Sequence, residues 1–144
     1  MMKFYLAHPF DARKWVRKWE LEIEAAGNVE LLNPFYDQPN RTDVERIDAG
    51  RAQRYEELIA SDLVRKDLAY MLLADGLVGL VTGDLSYGTI MEIVYANIFD
   101  LPVYLAVTNG EEKHPWLRQH SDVIFTSSDA MKHFLTHYKA EEYE

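Results

Sequence analysis

The chain has 144 residues, 48% of them apolar, enough for the core of one domain spanning residues 1–144. Asp and Glu number 24 against 15 Lys and Arg, a formal net charge of −9, which argues against a nucleic acid polymer as partner because phosphate backbones need a basic face. The absence of cysteine excludes disulfides, thiol catalysis and thiolate metal sites, and no apolar run approaches the roughly 20 residues of a membrane helix.

A small phosphorylated ligand stays open, since it needs only a local cradle of N–H groups. Lys3-Phe4-Tyr5-Leu6-Ala7 is too short an apolar stretch for a signal peptide, so a cytoplasmic protein is expected. That stretch reads as a buried strand, and His8-Pro9-Phe10 as a loop. Asp11 suits a helix N-cap. Trp15, Trp19, Ile23 and Ala26 then recur at helical spacing, and Gly27 suits the C-cap. Val29 to Leu32 reads as a second strand, ended by Asn33-Pro34.

Pro39 to Asp48 is polar and reads as a loop. From about Ala49 to Leu73 the pattern is helical, with a break at Ser61 or Asp62. Leu77 to Val81 is a strand buried on both faces. Thr82 to Gly88 is a loop, Thr89 to Phe99 a helix, Pro102 to Val107 a strand. Val123 to Phe125 is a fifth strand, and Ser127 or Ser128 caps a last helix to about Tyr138. Strands alternating with helices predict an α/β three-layer sandwich around a five-stranded, mainly parallel sheet, with Val78 and Leu80 central. Ligands of such sheets sit beyond the carboxyl ends of the strands, here the loops 8–13, 33–38 and 82–88.

The third loop carries the most chemistry. It runs from a buried strand into a helix whose N-terminus offers unpaired N–H groups and a positive dipole end. Gly88 permits close approach of an anion, and Ser86 and Thr89 add hydroxyls, a fair cradle for a phosphate or a sugar hydroxyl. The same residues also fit a plain capped helix with a turn glycine. Glu92 lies about one turn inside this helix between apolar Met91, Ile93 and Val94. A carboxylate there can attack an anomeric carbon, although a lone helical Glu also serves simply to complement the dipole. Protonating a departing base needs an acid. Asp75, just before the central strand, is the candidate, and Asp75-Gly76 is equally a common turn pair. Asp67 and Asp62, beside Arg65 and Lys66, read as surface ion pairs.

Four segments in order, Tyr5-Leu6-Ala7-His8-Pro9-Phe10, Ala74-Asp75-Gly76-Leu77-Val78, Gly88-Thr89-x-x-Glu92-Ile93-x-Tyr95-Ala96 and Leu101-Pro102-Val103-Tyr104, resemble the nucleoside 2-deoxyribosyltransferase family over residues 3–107. The resemblance implies a flavodoxin-like sandwich, a covalent deoxyribosyl intermediate on Glu92 and a general acid at Asp75. It also implies a sugar and base pocket built from Tyr5 to Arg13, including His8 and Phe10, with no cofactor and no metal, in a homo-oligomer whose neighbouring subunit completes the pocket. Six residues before the nucleophile the transferases carry an aspartate for the 5′-hydroxyl, where this chain has Ser86. That serine resembles the related 2′-deoxynucleoside 5′-monophosphate N-glycosidases, since a hydroxyl donates to a phosphate that a carboxylate would repel. His8-Pro9 departs from the glycine-rich loop of those hydrolases, and Arg13 either supplies the missing charge or is a solvated helix residue.

Tyr36, on the second loop, is a candidate for base contact. Trp15 and Trp19 read as core or subunit interface. His133 and His137, four apart, read as a surface pair rather than a metal site. The expected activity is cleavage of the N-glycosidic bond of a 2′-deoxynucleoside or its 5′-monophosphate, with hydrolysis of the monophosphate favoured. Transfer of deoxyribose between bases is the alternative, and a non-catalytic nucleotide sensor the competing class.

Overall fold

The computed structural model describes residues 1–38, 48, 60–84 and 86–139. Among these, strands β1 (Met2–Ala7), β2 (Val29–Leu32), β3 (Gly76–Val81), β4 (Val103–Val107) and β5 (Val123–Phe125) form one sheet in the order β2-β1-β3-β4-β5. Every adjacent pair is parallel, so the sheet is wholly rather than mainly parallel. That strand order is the flavodoxin-like one. Helices α1 (Arg13–Glu24), α2 (Ala60–Met71), α3 (Tyr87–Ile98), α4 (Pro115–Gln119) and α5 (Ser128–Thr136) supply the outer layers.

All residues of β3 and β4 are buried, the signature of strands covered on both faces. Alternation along the strands divides the core in two. Phe4, Leu6, Val78, Leu80 and Tyr104 meet Val16, Trp19 and Ile23 of α1 and Met131 and Leu135 of α5. Tyr5, Ala7, Leu77, Val81 and Leu105 meet Tyr70 and Met71 of α2 and Ile93 and Ala96 of α3. At Gly79 a Cβ would stand 2.7 Å from a Leu105 methyl and 3.7 Å from Ile93, so the missing side chain lets α3 lie close over the sheet.

Several boundaries differ from the expectation. A 3₁₀ turn over Phe10–Ala12 precedes α1, and Asp11 does not cap it. The inward stripe of α1 is Val16, Trp19, Glu20 and Ile23, while Trp15 and Ala26 are exposed. Ala25 rather than Gly27 is the C-cap of α1, and Gly27, at φ +82°, follows two residues later with its N–H on the Glu24 carbonyl. α3 starts at Tyr87 rather than Thr89, because Ser86 accepts from the Thr89 N–H as its N-cap. Ser127 caps α5 in the same way. The short α4, capped by His114, carries too little apolar periodicity to read from sequence. The loop expected over 39–48 lies outside the described residues except Asp48, as does the helical pattern over 49–59.

Candidate active site

β1 lies between β2 and β3, so the chain leaves it in one direction and returns on the other side. Such a reversal opens a crevice beyond the carboxyl ends of the strands. Here a cleft of about 940 Å³ occupies that place, walled by the loops after β1 and β3, by Phe35 after β2, and by the exposed ends of α2 and α3.

Glu92 lines the cleft from α3 and is half-buried. The hydroxyl of fully buried Tyr5 donates to its carboxylate from beneath. Alternation along β1 points Tyr5 at the face that α3 covers, and Ile93 anchors the same turn of α3 in the core. The side chain of Glu92 is thereby aimed by two rigid elements. Tyr70 of α2 meets the Tyr5 ring edge-on at 6.2 Å, and burial pushes its own hydroxyl up to about 12.

One turn earlier, Ser86 Oγ accepts from Thr89 N at 3.4 Å and from Thr89 Oγ1 at 3.0 Å. As acceptor in both contacts, Ser86 keeps its own hydroxyl proton for donation. Gly88 is exposed in the cleft wall without a positive φ, and a Cβ there would meet nothing within 4 Å. The fold does not demand glycine at this position, so what the glycine provides is open space beside the helix N-terminus.

Asp67, expected on the surface, is buried and lines the same cleft. Gln38 Nε2 donates to its Oδ1 at 3.0 Å. The surface pair that the sequence suggested does form, between Arg65 and Asp62 at 3.1 Å, and it leaves Asp67 inside. Asp75 is a correction in the other direction. It precedes β3, its N–H donates to the Lys3 carbonyl at 2.7 Å, and its exposed carboxylate accepts from Lys3 N at 2.9 Å. Those are the amino ends of β1 and β3. Six strand residues at about 3.3 Å each put Asp75 roughly 20 Å from the cleft, so it cannot serve as an acid beside Glu92.

His8, Phe10, Arg13, Phe35 and Trp15 form the opposite wall. His8 is 2% exposed, and burial pushes it down to about 4. Phe35 meets the rings of His8 at 4.9 Å and Phe10 at 5.4 Å, both edge-on. Trp15, expected in the core or an interface, instead reaches the cleft, whereas Trp19 packs inside and donates to the Ser128 carbonyl. Tyr36 does not line the cleft: it turns outward beneath the Arg17 guanidinium, 5.1 Å from it, and Phe35 takes the place foreseen for it. Arg13 is neither loose nor solvated. It pairs with Asp48 at 2.7 Å, donates to the Phe10 carbonyl and lies 4.0 Å over the Phe10 ring.

Asp84 also lines the cleft, so any attraction for an anion rests on the α3 N-terminus and its hydroxyls. A second cavity of about 570 Å³ lies on the other side of Thr82, Gly83 and Asp84 toward α4, and it contains neither Glu92 nor Asp67. The rings of His133 and of His137, the C-cap of α5, lie 4.3 Å apart and tilted by 35°, and no cluster of three metal-ligating side chains occurs among the described residues. No described helix is long and apolar enough to cross a membrane.

No family model and no curated protein matches the chain. Solved structures do. The chain is similar to a 2-deoxyribosyltransferase from the psychrotolerant bacterium Bacillus psychrosaccharolyticus, with a TM-score of 0.70 and 21% identity over 97% of this chain and 94% of that one. It is also similar to a CMP N-glycosidase of Clostridium botulinum, with a TM-score of 0.58 and 12% identity over 99% of both chains. At these identities the likeness establishes the fold, which is the one the sequence resemblance implied.

Proposed function

We propose that the protein cleaves the N-glycosidic bond of 2′-deoxynucleosides or their 5′-monophosphates, with Glu92 as nucleophile. The observation that carries this reading is the pair of carboxyl groups in one cleft. Glu92 is aimed by Tyr5 on one side, and buried Asp67 is held by Gln38 on the other. Glu92 attacks C1′ and the C–N bond breaks, its electrons going to the base, which takes a proton from Asp67. Water then gives up a proton to Asp67 and attacks C1′, releasing Glu92 and free deoxyribose or its phosphate. Asp67 here replaces Asp75 as the acid.

The aromatic wall of Phe10, Phe35 and Trp15 suits the flat faces of a nucleobase. Ser86, Gly88 and Thr89 at the α3 N-terminus suit a 5′-phosphate, which favours the monophosphate and hydrolysis, the reaction named for the Clostridium neighbour. Transfer of deoxyribose to a second base is the alternative, and the likeness to the 2-deoxyribosyltransferase supports it. Tyr87, Met91, Tyr95 and Ile98 form an exposed apolar stripe along α3, which supports a homo-oligomer joined beside the cleft. A small phosphorylated substrate fits a cytoplasmic setting.

The test is incubation with a panel of deoxynucleosides and deoxynucleoside monophosphates, with and without an acceptor base, followed by chromatography. Released base without acceptor supports hydrolysis, exchanged base supports transfer, and no turnover of any member overturns the reading in favour of a ligand-binding module.

A further inference from the structure

Behind the aromatic wall runs a buried polar chain that the reaction does not use. Glu20 of α1 and Asn33 after β2 have no solvent exposure and do not line the cleft. Glu20 Oε1 accepts from Asn33 Nδ2 at 2.7 Å and from Arg17 at 3.0 Å, while Oε2 has no partner among the described residues. Asn33 Oδ1 accepts from the Phe35 N–H at 2.9 Å and faces His8 Nε2 at 3.3 Å. His8 Nδ1 faces the Pro9 carbonyl at 3.0 Å. Arg17 is shared with Asp37, whose carboxylate accepts from Asn33 N.

The other inward residues of α1 are Val16, Trp19 and Ile23. A carboxyl among them is costly to bury, and burial pushes it up to about 7. An apolar side chain would serve the core better, so the carboxyl needs a purpose outside packing. The hydrogen bonds indicate one. A primary amide fits its site in two orientations, related by exchange of O and N. An acceptor at Glu20 Oε1 forces the Asn33 NH₂ toward α1. The amide oxygen then has to face the Phe35 N–H and His8, two residues of the cleft wall.

We propose that Glu20 is a positioning residue: through the amide of Asn33 it seats His8 and Phe35, the wall against which the nucleobase rests. The role of the wall rests on the N-glycosidase reading, whereas the seating of His8 does not.

The decisive variants are Glu20→Gln, which keeps an acceptor oxygen in the Oε1 position, and Glu20→Leu, which removes it. Two readouts are needed. Imidazole nitrogen NMR of the whole protein follows His8 across pH. In the wild type and Glu20→Gln it stays neutral down to about 4, and in Glu20→Leu, where the Asn33 oxygen that raises His8 is no longer held against Nε2, its ring-nitrogen signals shift and its midpoint falls further. Steady-state kinetics on the best substrate of the panel should show KM raised about tenfold in Glu20→Leu with kcat changed less, and Glu20→Gln within about twofold of wild type on both.

Unchanged His8 titration in Glu20→Leu overturns the proposal, as does damage by Gln equal to that by Leu. If Glu20→Leu does not fold, Glu20→Met serves instead, since it also removes the acceptor facing Asn33 Nδ2 and leaves the residue beside His8 unchanged. A displaced His8 signal then supports the seating, and an unmoved one overturns it. A wild-type protein that turns over no substrate removes the N-glycosidase reading alone, and the His8 signals still decide the seating.

Discussion

The hydroxyl of Tyr5 donates to the carboxylate of Glu92 across 87 positions of sequence, from an inner strand of the sheet to the helix that covers it. Neither residue is placed by a loop, so the direction of the carboxylate is fixed by the packing of α3 on β1. Glu92→Gln should cut base release at least about a thousandfold with the fold intact, because no covalent route remains. Mass spectrometry of quenched reactions should find a deoxyribosyl adduct on the wild type and none on the variant. Tyr5→Phe removes a hydrogen bond to a charged group, worth about 1.5–3 kcal/mol, and should slow turnover about ten- to a hundredfold. Turnover unchanged in Tyr5→Phe would show that the pair is only structural.

Asp67 and Asp75 make opposite predictions. Asp67→Asn should slow cleavage by roughly two to four orders of magnitude, the usual value of a positioned acid, and should hurt least where the base leaves easily. Asp75→Asn, at the far end of the sheet, should leave kcat within about twofold. Gln38→Ala, which removes the partner of Asp67 Oδ1, should fall between them. A large loss in Asp75→Asn with normal Asp67→Asn would reverse the assignment.

Much of this was legible in the sequence. The parallel five-stranded sheet follows from alternating strand and helix patterns, and Glu92 stands out as a charge between apolar neighbours just inside a helix with a capping serine. Asp67 does not stand out. Beside Arg65 and Lys66 it has the local look of a surface residue, and the Gln38 amide that hydrogen-bonds it stands 29 positions away in sequence. Asp75 attracts attention because it adjoins the central strand, but adjacency in sequence does not say which end of a strand a residue occupies. Tyr36 and Phe35 illustrate a similar limit. Both follow Asn33-Pro34, and only the turn geometry, set by Phe35 N–H on Asn33 Oδ1, decides that Phe35 faces the cleft. Glu20 is hidden for another reason: a charged residue on an amphipathic helix is presumed to face water, and a one-residue offset in the apolar stripe leaves that presumption unchallenged.

Two buried groups give stability opposite pH dependences. His8 is held at about 4 in the folded chain, below its ordinary 6.5, so the unfolded chain binds the proton first on acidification. Its contribution is complete above about 6.5 and is lost as pH falls toward 4. Glu20 is raised to about 7 from its ordinary 4.5, so its contribution is complete below about 4.5 and is lost as pH rises through 7. Urea unfolding at intervals from pH 5 to 8 should show wild type losing roughly 1–3 kcal/mol relative to Glu20→Gln on the way up. A difference that stays constant across that range would mean Glu20 is not raised.

The proposed preference for a phosphorylated substrate turns on position 86. Ser86 caps α3 as an acceptor and keeps its hydroxyl proton, Thr89 supports it, and Gly88 leaves space where a Cβ would stand. The helix end contributes N–H groups and positive potential toward an anion there. Against these stands Asp84 in the same cleft, and Arg13 is already engaged by Asp48. A charge-assisted hydrogen bond is worth about 1.5–3 kcal/mol, so the phosphate contacts should give monophosphates at least about a tenfold advantage in kcat/KM over free nucleosides. Ser86→Asp can still cap the helix, since Asp is as good an N-cap as Ser, and so should fold normally. It should erase that advantage by repelling the phosphate while changing nucleoside turnover little. Gly88→Ala should act in the same direction more weakly, by filling the space without adding charge. An enzyme that prefers free deoxynucleosides and moves the sugar to an added base, or a Ser86→Asp variant whose preference stays put, would assign the cradle to a sugar hydroxyl and the reaction to transfer.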